Sequence, residues 1–429
     1  MRRALPCLLL ACTATVRADW LPHWLEPWQH PEPMRGATPV AIERTPDGGA
    51  FALVATSHHG ANHATLVRFD ANGGFAWLRE HEATSHVAMV LFDGRARAAI
   101  VDGAAIRTYD VDDGTPGWSD ALGGASVEAG TRRLAVSVDG DLFLRANADG
   151  DVIVARWAPD GTRRMDWRWT SDVAEMRAVD IAAMPDGGAV VAATGAAIGG
   201  GVHVVRFGAD GEVLWHDRED GDLGNPLGAT HVVAAGDGSV IAAASPESSH
   251  GAPEAVVWKV HADGTRAWTT VLPQEHPFVS LEVAGLVLRD GDVFAAPQSP
   301  IGERLRLLRL DVASGEVDGD AHAGISGYPS SLAVAPNGRL LVAGFHFVDS
   351  SGHTDARIAE FDPAGSPCRA TILAGSGGAP TVAGDDDGWL VLVASSWRPG
   401  EGNDALLARY DADGDCDRPD ALFADGFDA

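Results

Sequence analysis

Two glycine turns recur in step along this chain, and their spacing restricts the fold more than any other feature. The first closes one apolar alternating run and opens the next, with its glycine at 48, 94, 140, 187, 238, 291, 338 and 388, at intervals of 46, 46, 47, 51, 53, 47 and 50 residues. Examples are AIERTPDGGAFALVAT from Ala41, DIAAMPDGGAVVAAT from Asp180, HVVAAGDGSVIAAAS from His231 and SLAVAPNGRLLVAGF from Ser331. The second turn follows 20 to 27 residues later, with its glycine at 73, 114, 161, 211, 264, 315, 365 and 414. Each turn reads as a two-residue hairpin connection, usually Asp-Gly or Asn-Gly. Such a connection needs positive φ, which a Cβ penalises and which Asp or Asn tolerates.

A unit of about 48 residues therefore holds four short strands as two hairpins, which is a β-propeller blade. Eight units account for residues 37–415, so the expected fold is all-β: a single eight-bladed propeller of four-stranded antiparallel blades. Seven blades is the alternative count. A pair of β-sandwiches or a solenoid are the rival folds, and neither requires paired turns of this period. Runs such as Ala189-Val190-Val191-Ala192-Ala193 and Val240-Ile241-Ala242-Ala243-Ala244 suit sheets buried on both faces, with small residues near a narrowing centre. The 51 Gly and 24 Pro argue against long helices.

The two ends differ in character. Residues 1–18, MRRALPCLLLACTATVRA, place Arg2 and Arg3 before a short apolar run and end on Val16-Arg17-Ala18, the pattern of a signal peptide. No stretch reaches the roughly 20 apolar residues of a membrane helix, so the expected compartment is secreted or periplasmic. Leu9-Leu10-Ala11-Cys12 also resembles a lipobox, whose lipid on Cys12 would make an outer-membrane lipoprotein. Residues 19–36, rich in Trp and Pro, are candidates to close the last blade, because residues 416–429 contain Pro419 and offer little strand. Cys7 and Cys12 leave with the signal, so Cys368 and Cys416 are a candidate disulfide in an oxidising compartment, with two buried thiols as the alternative.

Charge excludes one class of partner. With 32 Lys plus Arg against 60 Asp plus Glu the formal charge is −28. General nucleic-acid binding needs a basic surface, and anionic substrates or headgroups are repelled.

In a propeller built this way both tight turns of every blade lie on one rim, and the variable connections lie on the other. These are Ser57 to Ala64, Ser245 to Glu254, Phe345 to Ala356 and Ser395 to Asp404, and variable loops on a rigid ring are where binding develops. The histidines follow this division. His58, His59, His63, His250, His346 and His353 fall between second and third strands, and His81, His86, His216, His276 and His322 between blades. Neutral imidazole can coordinate a metal or act as a base, and ordinary solvated histidine is the competing reading. Asp411, Asp413, Asp415 and Asp417 put four carboxylates on alternate positions, a density that suits Ca²⁺, against the alternative of a solvated acidic turn. The spacing is not that of an EF-hand. No Gly-x-Ser-x-Gly elbow, Walker loop or His-Glu-x-x-His is present.

Trp77, Trp118, Trp215 and Trp268 lie four residues after a second-turn glycine, and Trp167 falls two further on, as in TYDVDDGTPGWSDAL. This resembles the docking tryptophan of PQQ-type quinoprotein propellers. LARYDADGDCD and ARIAEFDPAGSP look equally like the delta-60 repeats of secreted bacterial propellers, and Leu422 to Asp428 resembles a short tail on other secreted repeat proteins. The quinoprotein resemblance implies a PQQ cofactor with calcium. The vicinal cysteine pair of the dehydrogenases has no counterpart here, and Gly319, Arg369 and Arg418 replace the tryptophan in blades six to eight.

The sequence reading is thus a monomeric, non-enzymatic scaffold, with no required cofactor, that binds a protein or small ligand through its variable-loop face. The rival is a propeller enzyme, either a quinoprotein-like oxidoreductase or a metal-assisted hydrolase using the loop histidines.

Overall fold

The computed structural model describes residues 24–28, 37–58, 61–82, 87–103, 105–127, 131–171, 176–195, 201–219, 227–246, 255–274, 281–298, 304–350, 354–373, 376–385, 388–395 and 405–411. Its named strands form eight four-stranded antiparallel sheets, and among the described residues there is no helix. The innermost strands are Ala37–Arg44, Ala88–Phe92, Leu134–Val136, Met176–Ala183, Leu227–Ala234, Glu282–Arg289, Tyr328–Val334 and Ser376–Asp385. Each packs against the innermost strands of both neighbours, and the last packs against the first. The ring closes at eight, which sets aside the seven-blade count and the sandwich and solenoid folds.

In blades 1 to 7 the sheet order follows the chain. Blade 8 takes only its inner three strands from the C-terminal region. Its outermost strand is Trp24–Trp28, paired antiparallel with Ala405–Asp411 from Trp24↔Arg409 to Trp28↔Ala405.

Alternate residues of a central strand serve opposite neighbours. In the second strand of blade 4, Val190 and Ala192 join the core shared with blade 5, whereas Ala189, Val191 and Ala193 join the core shared with blade 3. A two-residue period with both faces covered yields an unbroken apolar run.

The turns differ from the two-residue expectation. In ten of them the glycine N–H bonds the carbonyl three residues back, and that residue's N–H bonds the carbonyl after the glycine, as in Gly48 N to Thr45 O (3.0 Å) and Thr45 N to Gly49 O (3.1 Å). This is a three-residue loop, a type I turn followed by a left-handed glycine. Pro46, Pro159, Pro185, Pro336 and Pro363 take the second position of such turns, where a fixed φ near −65° is favourable. Asp-Gly pairs with positive φ at both residues occur at Asp93-Gly94, Asp149-Gly150 and Asp290-Gly291.

The repeated tryptophans pack between blades. A Cβ on Gly114, Gly211, Gly264 or Gly315 would fall within 3 Å of Trp77, Trp167, Trp215 or Trp268 of the preceding blade. Most indoles also donate to a backbone carbonyl of that neighbour, as Trp215 does to Ala262 (3.0 Å) and Trp268 to Val312 (3.0 Å). Where the tryptophan is missing, other residues act. Phe294 lies 3.2 Å from a Cβ position on Gly365, and Arg369 donates to the Asp411 carbonyl at 2.8 Å.

Candidate functional site

Among the described residues, strand order places the first and second turns on one rim and the remaining connections on the other. Of the predicted rim residues, His63 is in the third strand of blade 1 and His346 in the second strand of blade 7, so both belong to strands and not to loops. His63 Nδ1 lies 2.8 Å from Glu80 Oε1. His346 faces blade 6 beside Arg357, and burial followed by the Arg357 charge lowers its pKa. His58 ends the second strand of blade 1. His59, His250, His353, Asp413, Asp415, Asp417 and Cys416 lie outside the described residues, whereas Asp411 ends the third strand of blade 8. Blade 8 separates His63 from His346, so the structure does not assemble these two into one centre.

Of the histidines expected between blades, His81, His216 and His322 also belong to strands, and His86 and His276 lie outside the described residues. His81 Nε2 meets the Tyr109 hydroxyl at 2.5 Å, linking blades 1 and 2. His203 Nδ1 and His216 Nε2 approach to 2.7 Å within blade 4, against Trp169 of blade 3. Burial pushes the Tyr109 hydroxyl up to about 12 and lowers His81.

A second group of polar residues lies in the innermost ring. Asp180, at 0% exposure, accepts from Arg132 N (3.1 Å), Arg132 Nε (2.9 Å) and Ile181 N (2.9 Å) on Oδ1, and from Arg132 Nη2 (2.9 Å) and Val232 N (2.7 Å) on Oδ2. Arg132 precedes the innermost strand of blade 3, Asp180 belongs to blade 4 and Val232 to blade 5. His231 of blade 5 extends the chain of contacts, with Nε2 3.1 Å from the Val283 carbonyl of blade 6. Burial lowers His231 to about 4 against the opposing pull of Asp180, so the ring is neutral and its Nε2–H donates. Four successive blades are tied together near the axis.

Sequence reasoning missed this group, although a signal exists. Asp180 and His231 both stand seven residues before a first-turn glycine, as do Ala41, Ser331 and Thr381, in segments otherwise largely apolar. At most of these positions the innermost strand carries a β-bulge one residue earlier, for example between Ala178 and Asp180 and between Ala229 and His231. A bulge re-aims the side chains beside it.

The third feature is apolar. On the variable rim of blade 7, Tyr328, Phe345 and Phe347 form a triangle with ring centroids 5.4, 5.6 and 5.5 Å apart. Phe347 is 49% and Val348 57% exposed.

The described residues do not fit the calcium that the quinoprotein resemblance implies. Asp180 has both oxygens filled by five N–H donors, and among the described residues no three His, Cys, Asp or Glu side chains converge as a metal site.

No family model matches the chain, and no match was found among curated proteins. Solved structures are similar in fold. The Dos1 propeller aligns with a TM-score of 0.55 at 10% identity, over 90% of this chain and 95% of that one. Dihydro-heme d1 dehydrogenase NirN in complex with DHE aligns at 0.52 and 13% identity, over 90% and 78%. A structure described as the eukaryotic initiation factor aligns at 0.50 and 13%, over 89% and 87%. Likeness at such identities extends to the propeller architecture alone.

Proposed function

We propose that this chain is a non-enzymatic binding propeller that works outside the cytoplasm and engages its ligand through the variable rim. The observation that carries the reading is the closed hydrogen-bond set around Asp180. Arg132, Asp180 and His231, on or beside the innermost strands, tie blades 3 to 6 together, so this part of the centre serves as frame and the rim is left to meet partners. The dehydrogenase among its fold neighbours does not transfer its chemistry to this chain at 13% identity.

The test is to purify the mature protein and record its absorption spectrum and metal content before and after adding PQQ with Ca²⁺. A spectrum and melting temperature unchanged by the additions support a scaffold. A retained chromophore, or stoichiometric metal with turnover of an alcohol, overturns it.

Export is part of the proposal. An N-terminus at Asp19 in the periplasmic or culture fraction supports it, and palmitate on Cys12 would replace secretion by anchoring. Peptide mapping without reductant tests the pairing of Cys368, nearly buried in the outermost strand of blade 7, with Cys416.

A further inference from the structure

The structure points to a docking surface at the seam of blades 7 and 8, and we infer that its occupant is a basic polypeptide segment carrying an exposed apolar side chain. The inference rests on the binding reading above and names where and what that rim binds.

The surface continues a core that runs out of cover. Odd-numbered residues in the second strand of blade 7 face blade 8, and Leu341 is fully buried there against Trp389 and Val391. Toward the rim the same face becomes half-buried at Phe345 and then 49% exposed at Phe347, and Val348 beyond the strand end is 57% exposed. Phe345 pairs with Tyr328 of the innermost strand, so three rings stand together. Gly378 of blade 8 has open space where a Cβ would stand, with nothing within 4 Å. Gly378 is pinned to blade 7 by its N–H on Thr354 Oγ1 at 2.8 Å, so the seam is held in this form. Aromatic rings exposed together on a rigid frame offer a large contact area at small entropy loss, the anchor chemistry of protein interfaces.

Charge selects the occupant. The chain carries −28, and Asp349 is exposed next to Val348. A second copy of this chain or an anionic lipid surface meets like charge, whereas a basic segment is drawn in and its apolar side chain settles on the rings.

The test uses the mature protein and a labelled twelve-residue peptide with one phenylalanine flanked by lysines, read by fluorescence anisotropy. Control peptides replace the phenylalanine with alanine or the lysines with glutamates. The protein variants are Phe347→Ser/Val348→Ser and, as a control on the opposite rim, Phe75→Ser, since Phe75 is 57% exposed just after a second turn. The expected result is saturable binding that weakens roughly tenfold or more in the double variant. Binding should be unchanged in Phe75→Ser, lost with either control peptide and reduced by salt, with all three proteins melting alike. Equal binding by the double variant, or no binding by any protein, overturns the inference. A photoreactive form of the peptide separates the two levels of the argument, because cross-links confined to another part of the variable rim sink this surface and leave the binding reading standing. A dimer that the double variant disperses, or capture by phosphatidylcholine vesicles that the double variant abolishes, also overturns it, in favour of self-association or a lipid surface.

Discussion

The indole of Trp118 covers Gly161 of the next blade so closely that a Cβ there would stand 2.4 Å from Trp118 Cγ, while the indole N–H donates to the Pro159 carbonyl of the same turn at 3.1 Å. The glycine therefore has two tasks. It supplies the left-handed conformation (φ 90°) that closes its hairpin, and it leaves room for the neighbouring blade's ring.

That double role makes Gly161→Ala costly. Strain and overpacking together should destabilise the protein by about 3 kcal/mol. Gly94→Ala, at φ 65° with nothing within 4 Å, meets the strain alone and should cost about 1 kcal/mol. Urea midpoints of the two variants provide the comparison, and equal shifts would show that the Trp118 contact contributes nothing.

The Arg132 and Asp180 pair is asymmetric, because the Arg132 side chain is 42% exposed and the Asp180 side chain 0%. Arg132→Met strands a buried carboxylate and should cost about 3–5 kcal/mol, whereas Asp180→Asn leaves a cation that water can reach and should cost about 1–2 kcal/mol. The double variant should be less destabilised than the sum of the singles. Denaturation of all three proteins decides, and additive effects would mean that the pair does not couple the blades.

His231 predicts a stability loss at mildly acid pH. Its folded pKa of about 4 lies below the ordinary 6.5, so between these values the unfolded chain binds a proton that the folded chain refuses. Its contribution is complete above pH 6.5 and is lost as pH falls toward 4, by roughly 3 kcal/mol. His231→Gln should flatten the fall in unfolding free energy between pH 7 and 4.5. An unchanged slope would remove His231 as its source.

Blade 8 is sealed by a strand from the other end of the chain. Deleting residues 19–36 leaves Ala405–Asp411 as an open sheet edge. The truncated protein should melt several degrees lower and associate as its concentration rises. Differential scanning calorimetry and sedimentation test this, and an unaltered melt would show that Trp24–Trp28 adds no stability.

Much of this architecture was legible because a hairpin is a local structure. Positive φ at Gly48 or Gly187 is required by the residues immediately around it, so turn spacing disclosed the blades before any packing was known. The turn class was less visible. Asp-Gly suits two- and three-residue loops alike, and Pro46 and Pro185 at the position before the aspartate were the sign that favours a type I turn. Of the histidines taken from loop positions, His63 and His346 belong to strands, because the hairpins of blades 1 and 7 extend further toward the rim than turn spacing alone suggested.

Asp180 was visible as a polar residue in an apolar run, but its partners were not. Arg132 lies 48 residues earlier and Val232 N 52 later, one blade away on each side. The aromatic triangle of blade 7 depends in the same way on strand pairing, which brings Tyr328 beside Phe345 and Phe347. The amino-acid sequence by itself determined the four-stranded unit and its eightfold repetition, since turn chemistry and two-residue alternation act within a few residues. Only the tertiary structure decided which polar groups meet near the axis and which rings remain uncovered at the rim. Those outcomes depend on how closely one whole blade lies against the next, a distance set by ring closure and by the packing of side chains remote in the chain.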